Sequence, residues 1–285
     1  LMVMEQNIFS DHILFITNQE CHQDAWPGLI SHIERPSRRI VLEFCSPPQL
    51  QAFDSELMSA FLSKHNLAYI SAPKCACTSI KETLFRIENG VDCVFPRNKD
   101  GHLYIAHNGK KHFIHSFYPT VPFNMQVLSV HETMRFFCVV RDPISRVRSC
   151  HRNRVIKHRE LSTEALAAQT LALPANPDLN TFVDALESYR KVFSIQHHTR
   201  PLVDFLGDDT AFYDRIFAMG NLDQLSAYLE HHTGVCVPLP HRQSTDRTRS
   251  PACDDLSPDN VRKIEELFEK DYAVFGDWFQ GAATA

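Results

Sequence analysis

The chain has 285 residues, 44% of them hydrophobic and 22% charged, so it can bury a full core as one large domain or two small ones. Its formal net charge of −5 argues against a broadly basic nucleic-acid-binding surface, and a polyanionic ligand would need a local basic pocket. No segment approaches the roughly 20 consecutive apolar residues that span a bilayer. The polar residues from Met4 to His12 interrupt any signal-peptide pattern, which favours a cytoplasmic protein. Nine cysteines, an odd number without regular spacing, do not suggest a disulfide framework. Cys75 and Cys77 are too close for a usual zinc pair, and the adjacent pairs His197-His198 and His231-His232 point in different directions on a helix. No metal site is expected.

In chain order, Ile13–Thr17 and Arg39–Phe44 read as strands around a segment containing Trp26-Pro27-Gly28. Ser46-Pro-Pro48 breaks the pattern, and Phe53, Leu57, Phe61 and Leu62 predict a helix over 53–63. Residues 1–64 are expected to form an N-terminal extension, as accessory strands and helix or as part of the same domain, with the main domain at 65–285.

The most informative stretch runs from Leu67 to Lys81. Leu67–Ile70 reads as a short strand, and Ile80, Leu84 and Ile87 recur at helical spacing. The intervening loop, Pro73-Lys-Cys-Ala-Cys-Thr-Ser79, ends at a helix N-terminus. Unpaired N–H groups and the positive end of the helix dipole gather there, and Lys74, Thr78 and Ser79 add a charge and two hydroxyls. A phosphate site is expected here; the alternative is an ordinary strand–loop–helix junction with a solvated lysine. The segment is not a nucleotide-binding Walker loop, because no glycine lies between Leu67 and Lys81 and the lysine does not adjoin the hydroxyls.

Lys110 to Tyr118 alternates His112, Ile114 and Ser116 with Phe113, His115 and Phe117, which predicts a half-buried strand. Arg135–Val140 is a continuous apolar run suited to a strand buried on both faces of a parallel sheet. It enters Arg141-Asp-Pro-Ile-Ser-Arg-Val-Arg-Ser149, in which Asp142 can cap a helix and Pro143 can occupy its first position. Arg141 at the strand end and Ser149, eight positions on, can close on one anion. A basic helix with a solvated face would account for Arg146, Arg148, Arg152 and Arg154 singly, but not for the Arg-Asp-Pro start.

Together these two segments resemble the cofactor motifs of sulfotransferases that use 3′-phosphoadenosine-5′-phosphosulfate (PAPS), in particular the carbohydrate type. The resemblance implies an α/β fold with a mainly parallel central sheet flanked by helices, P-loop-like in topology. It also implies that Lys74, Cys75, Ala76, Cys77, Thr78 and Ser79 hold the 5′-phosphosulfate while Arg141 and Ser149 hold the 3′-phosphate. Lys74 would further act in catalysis by neutralising charge on the leaving phosphate. The acceptor is a hydroxyl, on a carbohydrate by resemblance, and no nucleic-acid partner is expected. A general base is expected between the two motifs. His115 is the first choice, then His112 and His107, with Glu132 as the carboxylate alternative. Eukaryotic carbohydrate sulfotransferases carry a Golgi anchor, so a chain lacking one would be a soluble, bacterial, cytoplasmic relative.

Further on, Ser194 to Leu202 resembles a segment that approaches the acceptor, although Leu202 replaces the usual residue after the proline. Leu239 to Ser250 is a basic, hydroxyl-rich loop whose Arg242 and Ser244 are the expected lid contacts to the nucleotide. Ser257-Pro258 caps a last amphipathic helix, and Asp271-Tyr-Ala-Val-Phe-Gly-Asp-Trp278 resembles the family's closing motif. Three alternatives remain: a P-loop-type kinase, which lacks its Walker lysine and acidic magnesium ligand here; a non-catalytic nucleotide- or glycan-binding protein; and a thiol- or zinc-dependent protein using Cys75 and Cys77.

Overall fold

The computed structural model describes residues 2–8, 11–17, 60–89, 104–107, 110–123, 134–236, 239 and 255–279, the first two segments, 104–107 and 110–112 as backbone only. The chain separates into two units, Leu1–Phe53 and Asp54–Ala285. In the first, β1 (Met2–Ile8) and β2 (Asp11–Thr17) pair antiparallel, in register from Met2↔Thr17 to Ile8↔Asp11. The strand expected at 13–17 is the body of β2. The strand expected at 39–44 lies outside the described residues.

The second unit contains β3 (Ala60–Leu62), β4 (Leu67–Ile70), β5 (Tyr104–His107), β6 (Lys110–Phe113), β7 (Arg135–Val140) and β8 (Arg215–Ala218). Four of these form a sheet in the order β3-β4-β7-β8. β3 runs antiparallel to β4, while β4, β7 and β8 are parallel. β4 and β7 occupy the middle of the sheet and are buried along nearly their whole length, which is why they read as unbroken apolar runs. β5 and β6 form a separate antiparallel pair.

β3 replaces the end of the helix expected at 53–63. Ala60 and Leu62 are fully buried while Phe61 between them is only half-buried, a two-residue alternation that a helix cannot satisfy. Pairing of Phe61 with Ala68 fixes the register. β3 therefore lies on the N-terminal side of the boundary expected at 64/65.

The described helices are α1 (Cys77–Asn89), α2 (Ile114–Phe117), α3 (Pro143–Cys150), α4 (Thr163–Ala168), α5 (Leu179–Asp184), α6 (Leu186–Tyr189), α7 (Phe193–Thr199), α8 (Val203–Leu206), α9 (Leu222–Thr233), α10 (Pro258–Leu267) and α11 (Glu269–Phe279). A seven-residue π-helical stretch, His151–Lys157, continues α3. One buried cluster surrounds the sheet, with Tyr69, Phe85, Phe137 and Phe275 among its largest members. A second joins α3 to the helices that follow and to α10, through Val147, Phe182, Tyr189 and Phe268.

α3 begins as its sequence requires: Asp142 accepts a 2.8 Å hydrogen bond from the Ser145 N–H, and Pro143 opens the helix. Ser257 caps α10 in the same way, accepting from the Asn260 N–H at 3.2 Å. The strand expected over 110–118 stops at Phe113 and turns into α2. Helical spacing lets Ile114 and Tyr118, four apart, both reach the core and leaves His115 and Ser116 exposed.

Candidate active site

In β4 and β7, Ile70 lies opposite Cys138, so the chain leaves the sheet at adjacent strand ends. In open α/β sheets ligands bind beyond those ends. From β4 the chain passes through Ser71 to Ala76 into α1, and from β7 through Arg141 and Asp142 into α3. The two segments meet there. Arg141 donates to the Lys74 carbonyl at 3.3 Å, and Arg146 donates from Nε to the Pro73 carbonyl at 3.4 Å.

The loop is conformationally unusual. Lys74 and Ala76 have φ values of 67° and 55°, left-handed backbone normally left to glycine, with Cys75 between them. Alternation of this kind gathers backbone N–H groups on one side and makes a concave anion site. The first helical bond of α1 runs from Ile80 N–H to Ala76, so the N–H groups of Cys77, Thr78 and Ser79 have no partner within the helix. Cys75 supports this turn from within: it is fully buried, and its thiol donates to the Pro73 carbonyl at 3.6 Å. Burial pushes that thiol up to about 11, so it stays protonated at neutral pH.

Lys74 donates to Asn153 Oδ1 at 2.6 Å and has no carboxylate partner among the described residues. Burial brings its ammonium down to about 8, with Arg154 and Arg141 pushing the same way and Cys150 opposing. It is therefore a cation at pH 7, beside Arg141 and Arg154, and among the described residues no carboxylate pairs with it. His115, on α2, comes to the same loop: its Nε2 and Thr78 Oγ1 share a 2.9 Å hydrogen bond.

A profile of the sulfotransferase family matches residues 60–279, over three quarters of the chain. The chain belongs to the sulfotransferase family. No curated protein and no solved structure matches it.

In this sulfotransferase Lys74, Thr78, Arg141 and His115 are drawn together, and Cys75, Ala76, Cys77 and Ser79 complete the turn between them. Ser149 lies half-buried in the last turn of α3, its hydroxyl without a hydrogen-bond partner among the described residues. Arg242 and Ser244 lie outside the described residues, as does Glu132; His112 and His107 fall on β6 and β5.

Several residues of the site have no role assigned from the sequence. Asn153, which receives Lys74, sits in the π-helical stretch, a geometry that recurs at functional sites. Arg154, from the same stretch, pairs with Glu160 at 2.9 Å and also donates to His198 Nε2 at 2.8 Å. His198 Nδ1–H donates to the Ser194 carbonyl at 2.7 Å. Both nitrogens of His198 are thus engaged, and burial holds the ring neutral. Its neighbour His197 is brought down to about 4 by burial and then by Lys81, Arg154, Arg200 and Arg146.

Arg146 is not solvated as a basic helix face would have it, being 1% exposed. It donates to the Arg200 carbonyl at 2.9 Å and pairs with fully buried Asp271 at 3.5 Å. Asp271 also accepts from the N–H groups of Leu202 and Val203 at 2.7 and 3.0 Å. Tyr272 donates to Asp142 at 2.9 Å, from the side opposite the cap bond to Ser145. The closing motif of the sequence therefore braces both phosphate-motif segments. Among the described residues no cluster of metal-ligating side chains occurs, and no helix is long and apolar enough to cross a membrane.

Proposed function

We propose that this protein transfers a sulfuryl group from PAPS to a hydroxyl of a carbohydrate acceptor. The observation that carries this reading is the pairing of the two strand-end motifs: a left-handed loop bearing Lys74 at the N-terminus of α1, touched by Arg141 from the adjacent parallel strand. The strand–loop–helix is P-loop-like without a Walker sequence, and its donors suit a 5′-phosphosulfate. The fit to a nucleotide with several negative charges is electrostatic as well. Among the described residues Lys74 and Arg141 are bonded only to neutral partners, an amide oxygen and a carbonyl, which leaves their charge available to a ligand.

When bound, PAPS supplies the sulfuryl group, which passes to the acceptor oxygen as the phosphate leaves. The chain's own contribution is charge and orientation. Lys74 and the N–H groups of the loop and first turn of α1 stabilise negative charge on the leaving phosphate, with Thr78 and Ser79 as hydroxyl donors. Arg141 and Ser149 bind the 3′-phosphate and so distinguish this nucleotide from others; Arg242 and Ser244 add contacts from the lid. His115 takes the proton of the acceptor hydroxyl at Nε2, after Thr78 turns its own hydroxyl to the ligand. Asn153 orients the Lys74 ammonium. No step calls for a metal, since fixed cations and backbone dipoles meet the ligand's charge.

The test is turnover. Incubation with PAPS and a panel of neutral and acidic oligosaccharides should release 3′-phosphoadenosine-5′-phosphate and give an acceptor heavier by one sulfuryl group in mass spectrometry. Release of nucleotide without a sulfated product from any hydroxyl acceptor would refute transfer, and sulfation confined to non-carbohydrate hydroxyls would refute the acceptor class.

A further inference from the structure

Lys81 is a buried lysine whose hydrogen bond, among the described residues, goes to a single hydroxyl. It lies one turn into α1, fully buried, on the helix face shared with Cys77 and Thr78. Side chains on a helix lean toward its N-terminus, here toward the anion loop. Its Nζ makes one hydrogen bond, to Thr120 Oγ1 at 2.6 Å, and Thr120 Oγ1 in turn shares a hydrogen bond of 2.9 Å with Ser71 Oγ, the residue where β4 enters the loop. No carboxylate pairs with it among the described residues. An ammonium buried against a single hydroxyl is costly to keep, and apolar side chains of that length would fill the same space.

We propose that Lys81 is a second cation of the anion site, held beneath the loop by Thr120 and Ser71, and that loading the loop with a polyanion secures its proton. This rests on the cofactor reading above and extends it to Lys81, the last residue of the first motif segment, to which the sequence assigns no role. The titratable groups acting on Lys81, or acted on by it, are Cys77 on its own helix and His197 on α7. Burial brings Lys81 down to about 8, with Cys77 opposing, so in the ligand-free protein it begins to lose its proton just above neutrality. A bound anion reverses that tendency: affinity is full below about pH 8 and declines as the pH rises beyond it, and binding near pH 8 draws protons from solution.

The deciding variant is Lys81→Met, which keeps the length and apolar stem. In the ligand-free protein at pH 7 it should raise Tm by roughly 2–8 °C, because an unpaired buried charge is removed. The same variant should bind 3′-phosphoadenosine-5′-phosphate roughly tenfold more weakly in calorimetry. A mere structural brace gives the opposite pair, a lowered Tm with unchanged affinity, and that result would overturn the proposal. A second measurement does not depend on this variant. Calorimetry of the same nucleotide on Lys74→Met at pH 8, in buffers of different ionisation enthalpy, should still show proton uptake; its absence would overturn the proposal as well. Failure of the wild type to bind the nucleotide at all would instead strike the cofactor assignment, and this proposal with it.

Discussion

Arg146 and Lys81 are both buried cations tied to the same loop, and the protein treats them in opposite ways. Arg146 is fully provided for, with a carboxylate from Asp271 and carbonyls from Pro73 and Arg200. Among the described residues Lys81, like Lys74, has one neutral partner and no carboxylate. A completed polar network fixes the shape of a site at the cost of burying it, and satisfied networks of this kind are rigid. An incomplete one carries an unbalanced charge that only a ligand can neutralise. The closing segment of the chain thus stiffens the proposed anion site, and the first turns of α1 leave it with unbalanced charge among the described residues. Enzymes commonly give up stability in this way where binding needs it.

The comparison can be broken at several points. The largest expected effect is on chemistry: His115→Gln should lower kcat about 10²–10⁴-fold while leaving nucleotide affinity near wild type, as steady-state kinetics beside calorimetry would show. A comparable loss of affinity would instead make His115 a binding residue. On the completed side, Asp271→Ala leaves the Arg146 guanidinium buried without its carboxylate and frees the N–H groups of Leu202 and Val203. It should cost about 3–5 kcal/mol in chemical denaturation. That is the reverse of the gain expected from Lys81→Met.

The pH dependence sharpens the contrast further. Lys74 stands at about 8 in the free protein, below the ordinary lysine value, so its charge is present below that pH and lost above it. kcat/KM should therefore fall as pH rises through about 8, and Lys74→Arg, whose charge persists, should reduce that alkaline limb to the part Lys81 contributes, even if it is slower. The smallest effect is expected at Tyr272→Phe, which deletes one hydrogen bond to Asp142 and should cost about 1 kcal/mol in thermal or chemical unfolding.

What could be read in the sequence divides along similar lines. β4, α1, β7 and the capped start of α3 were legible because each depends on local chemistry: apolar runs for buried parallel strands, and Asp-Pro for a helix start. Lys74 and Arg141 were legible as strand-end cations. The helix expected at 53–63 failed at its described end, 60–62, because Phe61 and Leu62 fit helical spacing while pairing with β4 selected a two-residue alternation instead. The strand expected through His115 failed because a strand would line up Ile114, Ser116 and Tyr118 on one face, whereas Ser116 is exposed and the other two are buried. Arg146 looked like one of several solvated arginines, since nothing near it in sequence announces Asp271, 125 positions away. Asn153 and Lys81 lie in segments that resemble the family, but their roles could not be read there, because those roles arise from residues brought together by the fold.

The central claim is that Lys74 and Arg141 hold the two ends of one nucleotide. Calorimetric titration with 3′-phosphoadenosine-5′-phosphate, beside adenosine-5′-phosphosulfate and ATP, into wild type and Arg141→Ala tests it most directly. The account predicts magnesium-independent binding that requires the 3′-phosphate and weakens about 10- to 100-fold in Arg141→Ala. Equal affinity with and without the 3′-phosphate, or an Arg141→Ala variant that binds as the wild type does, would contradict it.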